Sequence, residues 1–168
     1  LDDDVLAWHL SVDTKPIFLR QLLDMRQMME PKAAGWAAQH GTDAQHADIE
    51  AAQIRMEEES HSIEDFVVAD ALFHRAILRA ANNEILLSME GVIFSALLSS
   101  IRLTNRDPRE NASSIPFHRK VLDAIKARDY TLAEKMMNDH LSDTSQRLKS
   151  VLGETAGGVI SNGEPRTD

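Results

Sequence analysis

The chain has 168 residues, of which 43% are hydrophobic, 27% charged and only 5% aromatic, a balance that suits one domain with an aliphatic core. Its formal net charge of −9, from 18 basic and 27 acidic residues, speaks against nucleic-acid binding by this chain alone, because phosphate contacts need clustered Lys and Arg. Cysteine is absent, which excludes disulfides and thiolate ligands, so any metal must be held by nitrogen and oxygen.

No apolar run approaches the ~18 residues of a membrane helix, and no signal-peptide pattern is present, so a cytoplasmic protein without a membrane partner is expected. Leu1 stands where a start Met would be, which suggests a piece of a longer protein. Helical periodicity runs through almost everything and strand-like alternation does not, so the expected fold class is all-α, a bundle of about six to seven helices. Residues 2–10 read as a short acidic helix with Val5, Leu6, Trp8 and Leu10 on its apolar side. Pro16 opens a long helix to about residue 40, with a kink expected at Pro31. Gly41 ends that helix, and Thr42 with Gln45 forms a capping box for a polar helix reaching about residue 60. Ser62, with Asp65 three residues on, starts a helix to about residue 81, and Asn82-Asn83 breaks it. A largely apolar helix is expected from about residue 84 to 103, at the bundle centre or an oligomer interface. Residues 104–114 read as a loop, and the next helix covers about 115–127. Thr131 and Glu134 form a further capping box that opens the last helix, to about residue 152. The Gly-rich, polar residues 153–168 read as a disordered tail, which leaves 1–152 as a single domain.

Four ionisable residues fall on apolar stripes. Asp70 and His74 stand one helical turn apart, on a stripe with Val67, Ile77, Leu78 and Ala81. His118 shares a stripe with Ile115, Val121, Leu122 and Ile125, and His140 shares one with Met136 or Met137, Thr144 and Leu148. Such groups are costly to bury unless they pair or bind a metal. Three imidazoles and one carboxylate meeting inside a bundle would make a first-row transition-metal site. The alternative is a metal-free interaction domain whose histidines are hydrogen-bonded core residues. His9, His40 and His46 sit near helix ends or on polar stretches and read as solvated. His61 follows Glu58 at E-x-x-H spacing, but the second half of a di-iron pattern is missing. Metalloprotease, P-loop, dinucleotide and nucleophile-elbow motifs are all absent. Arg26 and Arg102 lie among apolar neighbours; each either pairs with a carboxylate such as Glu30 or offers a fork to an anionic ligand, and the pattern favours pairing.

The combined order is specific. Asp70-x-x-x-His74 is followed by Asn83-x-x-Leu86, then His118-x-x-Val121-Leu122-x-Ala124-Ile125-x-x-x-Asp129, then Ala133 to His140-Leu141. Upstream stands Met25-Arg26-x-x-x-x-Pro31-x-Ala33-Ala34-x-x-Ala37-Ala38. Over residues 16 to 148 the chain resembles the effector-binding FCD domain of FadR-type GntR transcriptional regulators. The entry segment Leu1-Asp2-Asp3-Asp4-Val5-Leu6-x-Trp8 resembles the subgroup responding to sugar acids such as galactonate. The resemblance implies an antiparallel bundle with Asp70, His74, His118 and His140 as metal ligands. The ion would be divalent, zinc foremost, with nickel or manganese as other choices. It also implies a small carboxylate effector, Arg26 as its clamp, and Arg102 and Asn105 as polar pocket groups, with Thr104 and Ser99 within reach of sugar-acid hydroxyls. The family's N-terminal winged helix-turn-helix is missing here, so operator DNA would be bound only through that domain, by a homodimer. A sensor rather than a catalyst is expected. The rival is a metal-dependent hydrolase or oxygenase using the same three-His, one-Asp site.

Overall fold

The computed structural model describes residues 16–104 and 108–151. Among these residues there are seven helices and no strand: α1 Pro16–His40, α2 Asp43–Glu58, α3 Ile63–Ala80, α4 Glu84–Ser88, α5 Glu90–Thr104, α6 Pro108–Lys126 and α7 Tyr130–Val151. The expected helix at residues 2–10 and the expected tail lie outside the described residues.

α1 turns Leu22, Leu23, Arg26, Glu30, Ala33, Ala34, Ala37 and Ala38 inward. Its alanines let α7 approach closely, and a Cβ on Gly35 would stand 2.7 Å from the Tyr130 ring. Lys32 pairs with Glu134 at 2.6 Å, so residue numbers rise along α1 as they fall along α7, and the two helices run antiparallel. α2 and α6 are likewise antiparallel, tied by Glu50–Lys126 at 2.7 Å, Glu57–Arg119, and Asn111 Nδ2 donating to the Ser60 carbonyl at 3.2 Å. α3 lies in the middle, packed on α1, α2 and α5. Burying Phe66, Phe73, Ile77 and Leu78 there contributes about 1.5–3 kcal/mol per side chain.

The caps are those the residues dictate, with one exception. Thr42 and Gln45 form the full reciprocal capping box, and the Ser62 side chain accepts from Asp65 N–H. The last helix, however, is capped by Asp129, whose Oδ1 accepts from Leu132 N–H at 2.9 Å, and not by Thr131. The carboxylate stands one residue before the helix, where the third amide points back at it. Three turns are stitched together by side chains. Asn82 (φ 51°) donates to the His40 carbonyl at 2.9 Å, and Arg128 (φ 56°) donates to the Gly41 carbonyl at 3.0 Å.

Two expected boundaries are corrected. Residues 108–114 are helical, not loop: Pro108 takes the first position, where its missing N–H costs nothing. Asn111 and Ser114, which normally compete with the helix backbone, are buried and occupied with the Ser60 carbonyl and the Asn111 carbonyl. The single apolar helix over 84–103 is broken at Met89. α5 buries Ile93, Phe94, Leu97 and Ile101, while Ile85, Leu87 and Met89 remain exposed. α1 continues through the buried Pro31. His46 is buried rather than solvated, with Nε2 2.8 Å from the Ala37 carbonyl.

Candidate metal centre

α3 supplies Asp70 and His74, one turn apart on its inner face, with Asp70 Oδ1 3.2 Å from His74 Nε2. α6 supplies His118, fully buried, whose Nε2 also lies 3.2 Å from Asp70 Oδ1. α7 supplies His140, whose Nε2 is 3.3 Å from His74 Nε2. One ligand atom from each of the three histidines falls within 4.8 Å of the others. Donors about 2.0–2.2 Å from a shared ion stand about 2.8–3.6 Å apart between octahedral and tetrahedral angles, and the observed 3.2 and 3.3 Å contacts lie in that range. The structure thus brings together all four residues singled out in the sequence.

The outer ring nitrogens fall into different surroundings. His118 Nδ1 contacts the Ser114 carbonyl at 3.0 Å, one turn back on α6; the carbonyl can only accept, so Nδ1 carries a proton and Nε2 is the nitrogen turned inward. His74 Nδ1 lies 2.7 Å from Glu30 Oε2, an ion-pair contact off the line of the ring N–H. His140 Nδ1 is buried without a hydrogen-bond partner. His74 and His140 face each other nitrogen to nitrogen, stacked at 5.3 Å between ring centroids. Two lone pairs so placed repel, and a proton or a cation between them removes the conflict.

Burial raises the Asp70 carboxyl, but the His118 and His74 rings outweigh it and hold the group well below the usual carboxylate range. Burial, with His118 and His74 beside it, presses His140 well below the ordinary imidazole value, so it stays neutral and keeps a donor lone pair. Burial also acts to lower His74, yet Glu30 and Asp70 reverse the sign and raise it. A neutral ring, an ionised carboxylate and convergent Nε2 atoms are a donor set that suits a divalent first-row ion.

The remaining sequence candidates are placed unevenly. Arg26 is buried at the cluster, with Nη2 3.3 Å from His74 Nε2, and its Nε donates to Glu30 Oε1 at 2.7 Å. Pairing is therefore its observed state. Arg102 is solvent-exposed on α5. Ser99 and Thr104 belong to α5 with side chains outside the described set, and Asn105 lies outside the described residues. Sequence reasoning missed Glu30 as a neighbour of His74. The signal was there, since Arg26, Glu30, Ala33 and Ala37 recur on one face of α1. It also missed the buried Asn111 and Ser114, which extend the His118 face, while Thr144 is buried on the His140 stripe where the spacing puts it. An open groove of about 380 Å³ between α2 and α3 lies away from the histidines. Its arginines Arg55, Arg75 and Arg79 are paired with Glu59 and Glu90.

Residues 21–143 match the family model described as FCD domain. The chain is 29% identical over 153 residues to the galactonate operon transcriptional repressor of Escherichia coli (strain K12), covering 90% of this chain and 66% of that protein. It is 25% identical over 147 residues to the Glc operon transcriptional activator of the same strain, covering 82% of this chain and 58% of that protein. It spans less than two-thirds of the length of these relatives. Its fold superimposes on E. coli McbR/YncC with a TM-score of 0.71 at 18% identity, covering 82% of this chain and 71% of that one. On Streptococcus agalactiae GntR the TM-score is 0.64 at 22% identity, covering 82% and 61%. At these identities the two structures speak for the fold alone.

Proposed function

Because the chain belongs to the FCD domain family, a family of regulatory domains rather than enzymes, we propose that it is the sensing domain of a transcriptional regulator in which Asp70, His74, His118 and His140 hold a divalent metal. The observation that carries this reading is the convergence of three buried histidine nitrogens from three helices, with Asp70 Oδ1 3.2 Å from two of them and His118 held at its outer nitrogen by the α6 backbone. Zinc is the first candidate, with nickel and manganese next, since all the donors are nitrogen and oxygen. When bound, the ion supplies a Lewis-acidic centre that a carboxylate oxygen can approach.

The effector in this reading is a small carboxylate. One relative is named for the galactonate operon, which makes galactonate and similar sugar acids the first compounds to test. Arg26 is the clamp for the carboxylate, having a guanidinium at the cluster, and Ser99, Thr104, Arg102 and Asn105 are candidates for the hydroxyls. Operator DNA would be reached through a winged helix-turn-helix attached to this domain, in the cytoplasm. A homodimer is favoured by Ile85, Leu87 and Met89, which leave apolar surface beside α5. Ligand binding would change the placement of the attached DNA heads, with a coupling of ~1–3 kcal/mol typical of such linkage.

The test is a thermal-shift screen of galactonate, related sugar acids and dicarboxylates, run with and without a chelator, alongside elemental analysis of the purified protein. The expected result is close to one metal per chain and a sugar-acid stabilisation that vanishes on chelation. Protein without metal, whose melting temperature ignores both chelator and added zinc, would leave only packed core histidines. Turnover of the acid would restore the enzyme reading.

A further inference from the structure

Every direct donor of the cluster lies on α3, α6 or α7, yet α1 sends two charged side chains into the same buried space. Glu30 is 2% exposed and Arg26 1%. Glu30 Oε1 accepts from Arg26 Nε at 2.7 Å, while Oε2 lies 2.7 Å from His74 Nδ1. The contact is with the nitrogen of His74 that faces away from Asp70 and His140, because Nε2 is the atom near both. An imidazole ligand is usually fixed in tautomer and orientation by a carboxylate or carbonyl at its other nitrogen, and Glu30 stands at that nitrogen as an ion-pair neighbour off the line of its N–H. Ordinary ion pairing does not account for the depth of this one. Burying a carboxylate is costly, and an Arg26–Glu30 pair four residues apart could equally form on a solvated face of α1.

We propose that Glu30 is a positioning residue for the metal: its carboxylate holds His74 with Nε2 turned to the centre, and Arg26 keeps Glu30 in place, so α1 joins a site to which it gives no ligand. This inference rests on the metal reading above. Asp70 cannot take over the role, since its Oδ1 is on the Nε2 side of the ring. His118 has its own support in the Ser114 carbonyl, so the effect is confined to His74.

The experiment compares metal-stripped wild type, Glu30→Gln and the double variant Arg26→Gln/Glu30→Gln. Zinc affinity is read by chelator competition, and geometry by the visible spectrum of the cobalt(II)-loaded protein. Both variants should lose about 10–100-fold in zinc affinity with an altered cobalt spectrum. The double variant is needed because the single change leaves Arg26 as an uncompensated cation that would by itself repel a metal. A single variant that weakens and a double variant that recovers wild-type affinity would show repulsion only, and would overturn the proposal. So would wild-type affinity and spectrum in both variants. Failure of both to fold with zinc in excess would assign the pair to the bundle rather than to the metal. Wild type that takes up neither zinc nor cobalt would remove the metal reading itself, an outcome separate from all of these.

Discussion

His140 is packed against other imidazoles, 4.1 Å from His118 and 5.3 Å from His74 between ring centroids, and its Nδ1 has no partner. A buried polar atom left so costs about 1–3 kcal/mol, so the ring is a burden to the empty fold and an asset only when its Nε2 binds something. His140→Leu should therefore lower the melting temperature of the metal-loaded protein while leaving the chelated protein unchanged or more stable. Calorimetric melts in zinc and in EDTA check this, and an equal loss in both would make His140 an ordinary core residue. Acid should act at the same residues. Native His140 resists protonation, so the unfolded chain binds more protons as pH drops through the ordinary value of 6.5, and stability falls. Glu30 adds a second loss. Burial raises its carboxyl, but Arg26 and His74 bring it to about 2 from 4.5, so its contribution is present above 4.5 and is lost as pH falls toward 2. His74, raised, has the opposite slope, and its contribution disappears only as pH climbs above 6.5 through its folded value. Urea titrations of chelated protein should show stability declining from about pH 6 to 3, below the window in which His74 opposes His140; a flat profile from about 6 to 5 would remove the His140 contribution.

At the scale of the element, caps separate what a motif suggests from what the backbone uses. Thr42 fills its box completely, and Thr42→Ala should cost about 0.5–2 kcal/mol. The T-x-x-E pattern at Thr131 is one of two overlapping signals, and Asp129 prevails because its carboxylate reaches Leu132 N–H. Asp129→Ala should cost about 1 kcal/mol and Thr131→Ala less than about 0.5, measured by denaturant unfolding; the reverse order would mean that the helix starts later. Gly41 is the tightest point of the α1–α2 corner. A Cβ there would stand 2.4 Å from the Ala37 carbonyl oxygen and 2.5 Å from His46 Nε2. One of those obstacles is backbone, so Gly41→Ala should destabilise by more than the cap variants.

For the whole molecule, a metal at this centre would cross-link three helices from distant parts of the chain. Anything that binds the native state alone stabilises it by mass action, about 2.7 kcal/mol at a hundred times Kd. His118→Ala should accordingly lower metal content and melting temperature together, and an unchanged metal content would remove the residue from the site. Association belongs at this scale too. Ile85 is 70% exposed and Met89 39%, so Ile85→Lys with Met89→Lys should shift a dimer toward monomer in sedimentation; an unmoved mass would place the interface elsewhere.

The amino-acid order by itself determined the helical class, most helix ends and the four ligand candidates, because periodicity and caps are local and because ionisable residues on apolar stripes signal an unusual interior. It also determined that Arg26 has a carboxylate within one turn. Only the tertiary structure decided that α6 begins at Pro108, since Asn111 and Ser114 become compatible with a helix once other groups occupy their side chains. It alone decided that Glu30 approaches the far side of His74, and that three histidines from three helices meet with Asp70 beside two of them. Those facts depend on how α1, α3, α6 and α7 pack together, and packing joins residues that no local window of sequence compares.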